Sequence, residues 1–154
     1  MPIYFYSTRE VPYGCFFNFS AHGFELDRKY WKTSEHYFQA QKFVGTPDEE
    51  EVRQAKTSKD AARMGRERHR PLRKDWESVK GDIMRKVVLR KFETHEEIRN
   101  VLLSTGNETL IEKTTGDMYW GCGTDGTGEN MLGIILMEVR TALRERYAKQ
   151  DAEL

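Results

Sequence analysis

Thr33-Ser34-Glu35-His36-Tyr37-Phe38-Gln39-Ala40-Gln41-Lys42-Phe43-Val44 is where the chain turns from aromatic, turn-rich sequence to helix. Thr33 or Ser34 offers a hydroxyl that can accept from a first-turn N–H, and Gly45 supplies a stop after Val44. At ~100° per residue, Glu35, Gln39 and Lys42 fall within roughly 60° of one another. Tyr37, Ala40, Phe43 and Val44 occupy the other side. That spacing predicts an apolar stripe facing a core and a polar face. The polar face is either solvated or turned to a cleft.

Helical signals continue downstream. Thr46-Pro47-Asp48-Glu49 combines a capping-box Thr and Glu with a proline at the first helical position. Ser58 or Asp60 opens a short helix through Met64. Asp75 caps a longer one, in which Trp76, Val79, Ile83 and Val87 step by three and four. Thr94-His95-Glu96-Glu97 is a second capping signature, leading a helix to about Leu103. Residues 108–113 suit a short strand. The last helix, from about Met131 to Tyr147, places Leu132, Ile135, Leu136, Val139 and Leu143 on one face. Upstream, Tyr4, Phe5, Tyr6, Phe16, Phe17 and Phe19 favour short extended pieces broken by Pro12, Gly14 and Gly23. The fold class expected is mainly α, formally α+β with a few short strands, in one compact domain over residues 1–154. Regular βαβ alternation is absent, which argues against Rossmann and TIM architectures.

Composition narrows function. Lys+Arg and Asp+Glu both number 25 in 154 residues, so bulk charge points to neither a nucleic-acid nor a membrane partner. No apolar run approaches the ~18 residues of a membrane span, and the N-terminus has no secretory pattern. Cys15 and Cys122 form no ligand-spaced pair, and cytosolic thiols stay reduced. A soluble, cytoplasmic protein is expected. His22, His36, His69 and His95 show no metal-ligand spacing, so no metal is expected.

Three stretches could carry chemistry. A carboxylate at Glu35, in the first turn of a helix, is kept ionised by the helix dipole and suits stabilising positive charge or taking a proton from water. Thr115-Gly116-Asp117-Met118-Tyr119-Trp120-Gly121-Cys122-Gly123 runs through a glycine-rich loop to Asn130, a good cap for the last helix. Its G-x-G-x-x-G match at 121–126 lacks the surrounding βαβ unit and carries little weight. The loop is either a surface turn or a close approach to a ligand, with Tyr119 and Trp120 suited to stacking and free N–H groups at the helix start suited to anions. Arg63, Arg66, Arg68, Arg70, Arg73 and Lys74, with His69 among them, form a basic cluster. It reads as a solvated face, a phosphate grip or a nucleic-acid contact.

Taken in order, these stretches resemble the YbiA-like family, also called the NADAR domain. The resemblance runs from Phe5-Tyr6-Ser7 and Gly14-Cys15-Phe16-Phe17-Asn18-Phe19, through Trp31-Lys32-Thr33-Ser34-Glu35-His36-Tyr37-Phe38-Gln39-Ala40-Gln41-Lys42-Phe43 and Ala62-Arg63-Met64-Gly65-Arg66. It continues in Pro71-Leu72-Arg73-Lys74-Asp75-Trp76, Asp117-Met118-Tyr119-Trp120-Gly121-Cys122-Gly123 and Asn130-Met131-Leu132-Gly133. One departure is Phe17, where the family commonly has serine; it bears on substrate preference.

The resemblance implies a compact YbiA-like helical fold and an N-glycosidase, a hydrolase acting on N-glycosyl compounds without any cofactor. It implies cleavage of a ribosyl C–N bond in phosphoribosylamino-pyrimidine intermediates of riboflavin biosynthesis. The alternatives are removal of ADP-ribose from guanine in nucleic acid, or a module that binds ADP-ribose or nucleotides without turnover. The expected partner is accordingly a small ribosyl phosphate or ADP-ribosyl substrate, or ADP-ribosylated DNA. On this reading Glu35 is the catalytic carboxylate and Asp117 the second, which either activates water or holds the loop. Trp76 and Trp120, with Phe19 beside them, are the platforms for the leaving base. Lys42, Arg66 and the loop before Asn130 contact phosphate, and Asn18 and Gly121 also bind substrate. Trp76 has a rival role as a core residue.

Overall fold

The computed structural model describes residues 1–153, with side chains described as far as residue 150. In chain order the elements are β1 (Ile3–Phe5), a 3-10 turn (Tyr13–Phe16), β2 (Phe24–Leu26), β3 (Lys29–Trp31), α1 (Ser34–Gln41), α2 (Pro47–Arg53) and α3 (Ser58–Gly65). Then follow α4 (Trp76–Thr94), α5 (Glu96–Ser104), β4 (Leu110–Glu112) and α6 (Met131–Glu153). The mainly helical class expected is the one observed. Two units divide the chain: residues 18–94, and residues 1–17 together with 95–154.

In the unit of residues 18–94, β2 and β3 form an antiparallel hairpin with Phe24 opposite Trp31. Its two-residue turn, Asp27-Arg28, has φ of 53° and 67°. Two positive φ values in succession are those of a type I′ turn, which matches strand twist. Asp27 is held there by Tyr37 Oη at 2.7 Å and Lys86 Nζ at 2.8 Å. No glycine marks this hairpin, and the sequence patterning alone does not resolve it.

α1 begins where expected, with the Thr33 side chain accepting from the His36 amide at 3.1 Å. It ends earlier than expected, at Gln41, and the chain leaves by tight turns through Gly45 at φ 81°. Val44 therefore drops off the apolar stripe and is exposed. The polar side of α1 is not solvated: every residue from Ser34 to Gln41 is buried. A helix covered all round needs neighbours on every face. α2, α3 and α4 supply them, with Trp31 of β3 edge-on to Tyr37 at 5.0 Å.

The expected caps of α2, α4 and α5 are built differently. The Thr46 hydroxyl donates to the Phe43 carbonyl at 2.7 Å, and Glu49 Oε1 accepts from the Gly45 amide at 3.1 Å. The capping box has thus slid back by a residue and serves the preceding turn. Asp75 precedes α4, but its carboxylate pairs with Arg73 at 2.6 Å. Within α4 the buried line is Trp76, Met84, Val87, Val88, Lys91 and Phe92, so Val79 and Ile83 lie at its margin.

In the other unit, β1 and β4 pair in parallel, with Ile3 opposite Leu110 and Phe5 opposite Glu112. Phe5 is fully buried against Phe16 and Phe17, with ring centroids at 5.6 and 5.3 Å. Thr94, expected to cap α5, closes α4 with its hydroxyl on the Arg90 carbonyl; His95 takes the cap position without capping the helix through its side chain. α6 carries the expected stripe of Leu132, Ile135, Leu136, Val139 and Leu143 and runs past Tyr147 to Glu153. Gly133 lets it approach β4: a Cβ there would lie 2.1 Å from the Leu110 carbonyl oxygen.

Candidate functional site

Within residues 18–94 the polar face of α1 organises the candidate residues. Asn18 stands at its start: the Asn18 carbonyl accepts from the Glu35 amide at 3.0 Å, and Asn18 Oδ1 accepts from Ser34 Oγ at 3.0 Å. Its Nδ2 faces Met84 Sδ at 3.5 Å. Asn18 therefore fixes the N-terminal turn on which Glu35 sits. Phe19 beside it is exposed, and its carbonyl accepts from Ser58 Oγ at 3.1 Å.

Glu35 is 8% exposed and accepts from Gln39 Nε2 at 2.7 Å. One turn further, Lys42 Nζ donates to the Gly65 carbonyl at 3.1 Å and lies 5.7 Å from the centre of the Trp76 ring. Burial lowers the Lys42 pKa, while the Glu35 charge opposes that shift. A carboxylate, an amide and an ammonium thus follow one another along a buried helix face.

Lys42, Arg66, Arg68, Leu72 and Trp76 line a cavity of about 350 Å³. Trp76 is 6% exposed and packs on Phe38 at 5.0 Å, so it is a core residue that also forms a cavity wall. The basic cluster is divided. Arg63 lies within 3.9 Å of Asp60 and 3.7 Å of Glu67, and Arg73 pairs with Asp75. The buried Arg70 guanidinium binds Asp48, Glu51 and Glu67 at 2.6, 2.9 and 3.1 Å, which holds it well above its ordinary pKa, Glu51 contributing most. Arg66, Arg68 and Arg70 all line the cavity, Arg70 with its charge already met by carboxylates.

In the unit formed by residues 1–17 and 95–154, the glycine-rich loop is tied internally. Asp117 Oδ1 accepts from the Tyr119 and Trp120 amides at 3.0 and 2.8 Å, and its carbonyl accepts from Thr114 Oγ1 at 2.6 Å. Gly121 is needed because a Cβ there would lie 2.3 Å from Thr114 Cγ2. Tyr119 and Trp120 pack edge to face at 4.8 Å. Asn130, at φ 53°, accepts from the Glu112 amide and donates to the Leu110 carbonyl, both at 2.9 Å, like one more residue paired to β4.

The amides of Asn130, Met131 and Leu132 bond to the carbonyls of Gly121, Tyr119 and Trp120. These helix-start donors, expected to be free for an anion, are used within the loop. Asp117 also lines a wider cavity of about 710 Å³ with Tyr6, Phe17, Lys113, Thr115 and Thr124.

Sequence reasoning missed Gln39 and Gly65 as partners of Glu35 and Lys42. The signal for Gln39 was its position four residues after Glu35 on one face. Gly65 gave none, since its role lies in what α1 places against it. Among the described residues no three His, Cys, Asp or Glu side chains gather as a ligand set.

The fold is mostly helical, with two short strand pairs and a buried carboxylate on α1. The chain belongs to the NADAR domain family, whose profile matches residues 4–144. It is 51% identical over 147 residues to an N-glycosidase of Nostoc punctiforme, covering 94% of each chain. It is 52% identical over 141 residues to N-glycosidase YbiA of Escherichia coli, covering 92% of this chain and 88% of that one. The NMR structure of E. coli YbiA superposes with a TM-score of 0.88, covering 96% of this chain and 88% of that chain. A riboflavin biosynthesis protein, chloroplastic PYRR of Zea mays, matches 92% of this chain at 39% identity, within 25% of its own length.

Proposed function

We propose that the chain is an N-glycosidase hydrolysing the ribosyl C–N bond of phosphoribosylamino-pyrimidine intermediates of riboflavin biosynthesis. The observation that carries the reading is Glu35, a buried carboxylate in the first turn of α1, oriented by Gln39 and followed on the same face by Lys42. The names of the N-glycosidase relatives support the reaction, and that of the Zea mays relative supports the substrate class. The family profile runs without a break through both units, which supports treating residues 1–154 as one functional domain. Two free cysteines, Cys15 and Cys122, suit work in a reducing cytoplasm.

When the C1′–N bond breaks, its electron pair leaves on the pyrimidine-bearing nitrogen and positive charge spreads over C1′ and the ring oxygen. A fixed carboxylate stabilises that charge, as in O-glycoside hydrolysis. Water then adds to C1′ and gives its proton to the carboxylate, which passes it to the departing amine nitrogen and is left ionised again. We assign the carboxylate role to Glu35. Lys42, Arg66 and Arg68 give the 350 Å³ cavity the positive charge a phosphate needs, and Trp76 gives it a flat wall. Asp117 holds Tyr119 and Trp120 in place through their amides, the second candidate platform for a planar base. Arg63, Arg70 and Arg73 are committed to internal carboxylates, so a DNA-bound substrate is less well served.

The test is mass-spectrometric product analysis of the protein and its Glu35→Gln variant. Each is incubated with phosphoribosylamino-pyrimidine and, separately, with DNA ADP-ribosylated on guanine. Ribose 5-phosphate from the first substrate is expected, slowed on the order of 10²–10³-fold in the variant. Release of ADP-ribose alone would move the substrate to nucleic acid. Turnover of neither would sink the hydrolase reading.

A further inference from the structure

We propose that Gln39, wedged between Glu35 and Gly65, is a positioning residue that fixes the orientation of the Glu35 carboxylate. The inference rests on the assignment of Glu35 to the N-glycosidase reaction. Gln39 stands four residues after Glu35, 7% exposed, with Nε2 2.7 Å from Glu35 Oε1. Amide direction matters here. Turned round, the Gln39 carbonyl would face a carboxylate oxygen, which is favourable only if Glu35 carries a proton. The direction in which Gln39 donates suits an ionised Glu35.

The far side of the wedge is backbone. A Cβ on Gly65 would lie 1.9 Å from Gln39 Oε1, 2.6 Å from its Cδ and 3.1 Å from its Cβ. Glycine at the end of α3 is therefore what leaves room for the amide. The same Gly65 carbonyl receives Lys42 Nζ, so both later members of the α1 polar face are registered on one residue. Gln39 Oε1 is buried and receives no hydrogen bond from the described residues. A methionine would fill similar space without leaving a buried acceptor unpaired. Filling a gap in the core does not account for a glutamine there; holding a carboxylate does.

Charges around this face come from Lys42 on α1, Arg66 after α3, and Glu77 and Lys80 on α4. On the other sides of α1, Asp27 and Glu49 act on Tyr37, and Lys32 and Asp60 act on His36. All of these remain in the variants below, so a change at Glu35 reports on Gln39.

The experiment has a readout that does not depend on turnover. Protein labelled with ¹³C in glutamate carboxyls is titrated by NMR, the Glu35 signal being the one missing from Glu35→Gln. Gln39→Met should raise the Glu35 midpoint by about one pH unit by removing a donor to the ionised form. Gln39→Glu should raise it further, because two adjoining carboxylates share a proton. An unmoved midpoint in Gln39→Met overturns the proposal.

In parallel, kcat on phosphoribosylamino-pyrimidine should fall on the order of 10- to 100-fold in Gln39→Met with KM little changed. Gly65→Ala should match it, yet add nothing in a Gln39→Ala background, since both act through one amide. A wild-type protein with no turnover would fail the N-glycosidase reading and leave the titration to decide the wedge. Turnover by Gln39→Met equal to wild type would fail the wedge alone.

Discussion

His36, next in sequence to Glu35, belongs to the fastening of α1. Its Nε2 lies 2.9 Å from the Ala55 carbonyl, which can only accept, so Nε2 carries the proton. In the neutral ring Nδ1 then takes the Thr33 hydroxyl hydrogen at 2.7 Å, while Thr33 Oγ1 accepts from the His36 amide. A second ring proton on Nδ1 would forfeit that hydroxyl bond and compete with the His36 amide for Thr33 Oγ1. Burial, followed by the repulsion of Lys32, lowers the His36 pKa. The folded state therefore favours the neutral ring. Its contribution is complete above the unfolded value of about 6.5 and is lost as pH falls from there through the lower folded value. Urea midpoints taken near neutrality and near pH 5 should show this loss. His36→Gln should flatten the dependence over that interval, and an unchanged slope would place the titrating group elsewhere.

Among the elements, α2 and the segment after α3 are joined by the Arg70 clasp on Asp48, Glu51 and Glu67. Arg70→Met keeps length and removes the guanidinium, leaving three carboxylates facing one another. We expect destabilisation of about 1.5–3 kcal/mol, the range for hydrogen bonds to charged groups, seen as a lower urea midpoint with an unchanged m-value. The clasp could not be seen in the sequence, where Arg70 was one basic residue among several and two of its three partners, Asp48 and Glu51, lay some twenty positions away. Elements with a clean period were legible: α6 announced its stripe and its start. The hairpin turning at Asp27-Arg28 was not, because neither residue is the glycine that usually signals positive φ. α1 was legible as a helix but not in its burial, since a polar face covered by other helices has the same spacing as one covered by water. Glu35 and Lys42 could be placed on a common face from spacing alone. Gly65, which registers Lys42 and leaves room for Gln39, could be found only once α3 was packed against α1.

For the whole molecule, the connectivity of the two units has a measurable effect. β1 is the only strand partner of β4 among the described residues, and Phe5 within it is fully buried. Removing residues 1–6 should cost about 3–5 kcal/mol from the lost phenylalanine alone. Hydrogen exchange should report it locally: amide protection at Leu110–Glu112 should collapse while protection in α1 persists. Loss of protection to the same degree in α1 would show that the two units unfold together. The parallel pairing of β1 with β4 also sets an order of events during synthesis. Residues 18–94 are complete in the nascent chain before β4 has been translated, so the helices around Glu35 can assemble first. Strand β1, although made before those helices, must wait for more than a hundred further residues. At ribosomal speeds of roughly 5–20 residues per second, that wait lasts on the order of 5–20 s. Throughout it the aromatic segment Tyr4-Phe5-Tyr6 is one that nascent-chain chaperones can reach.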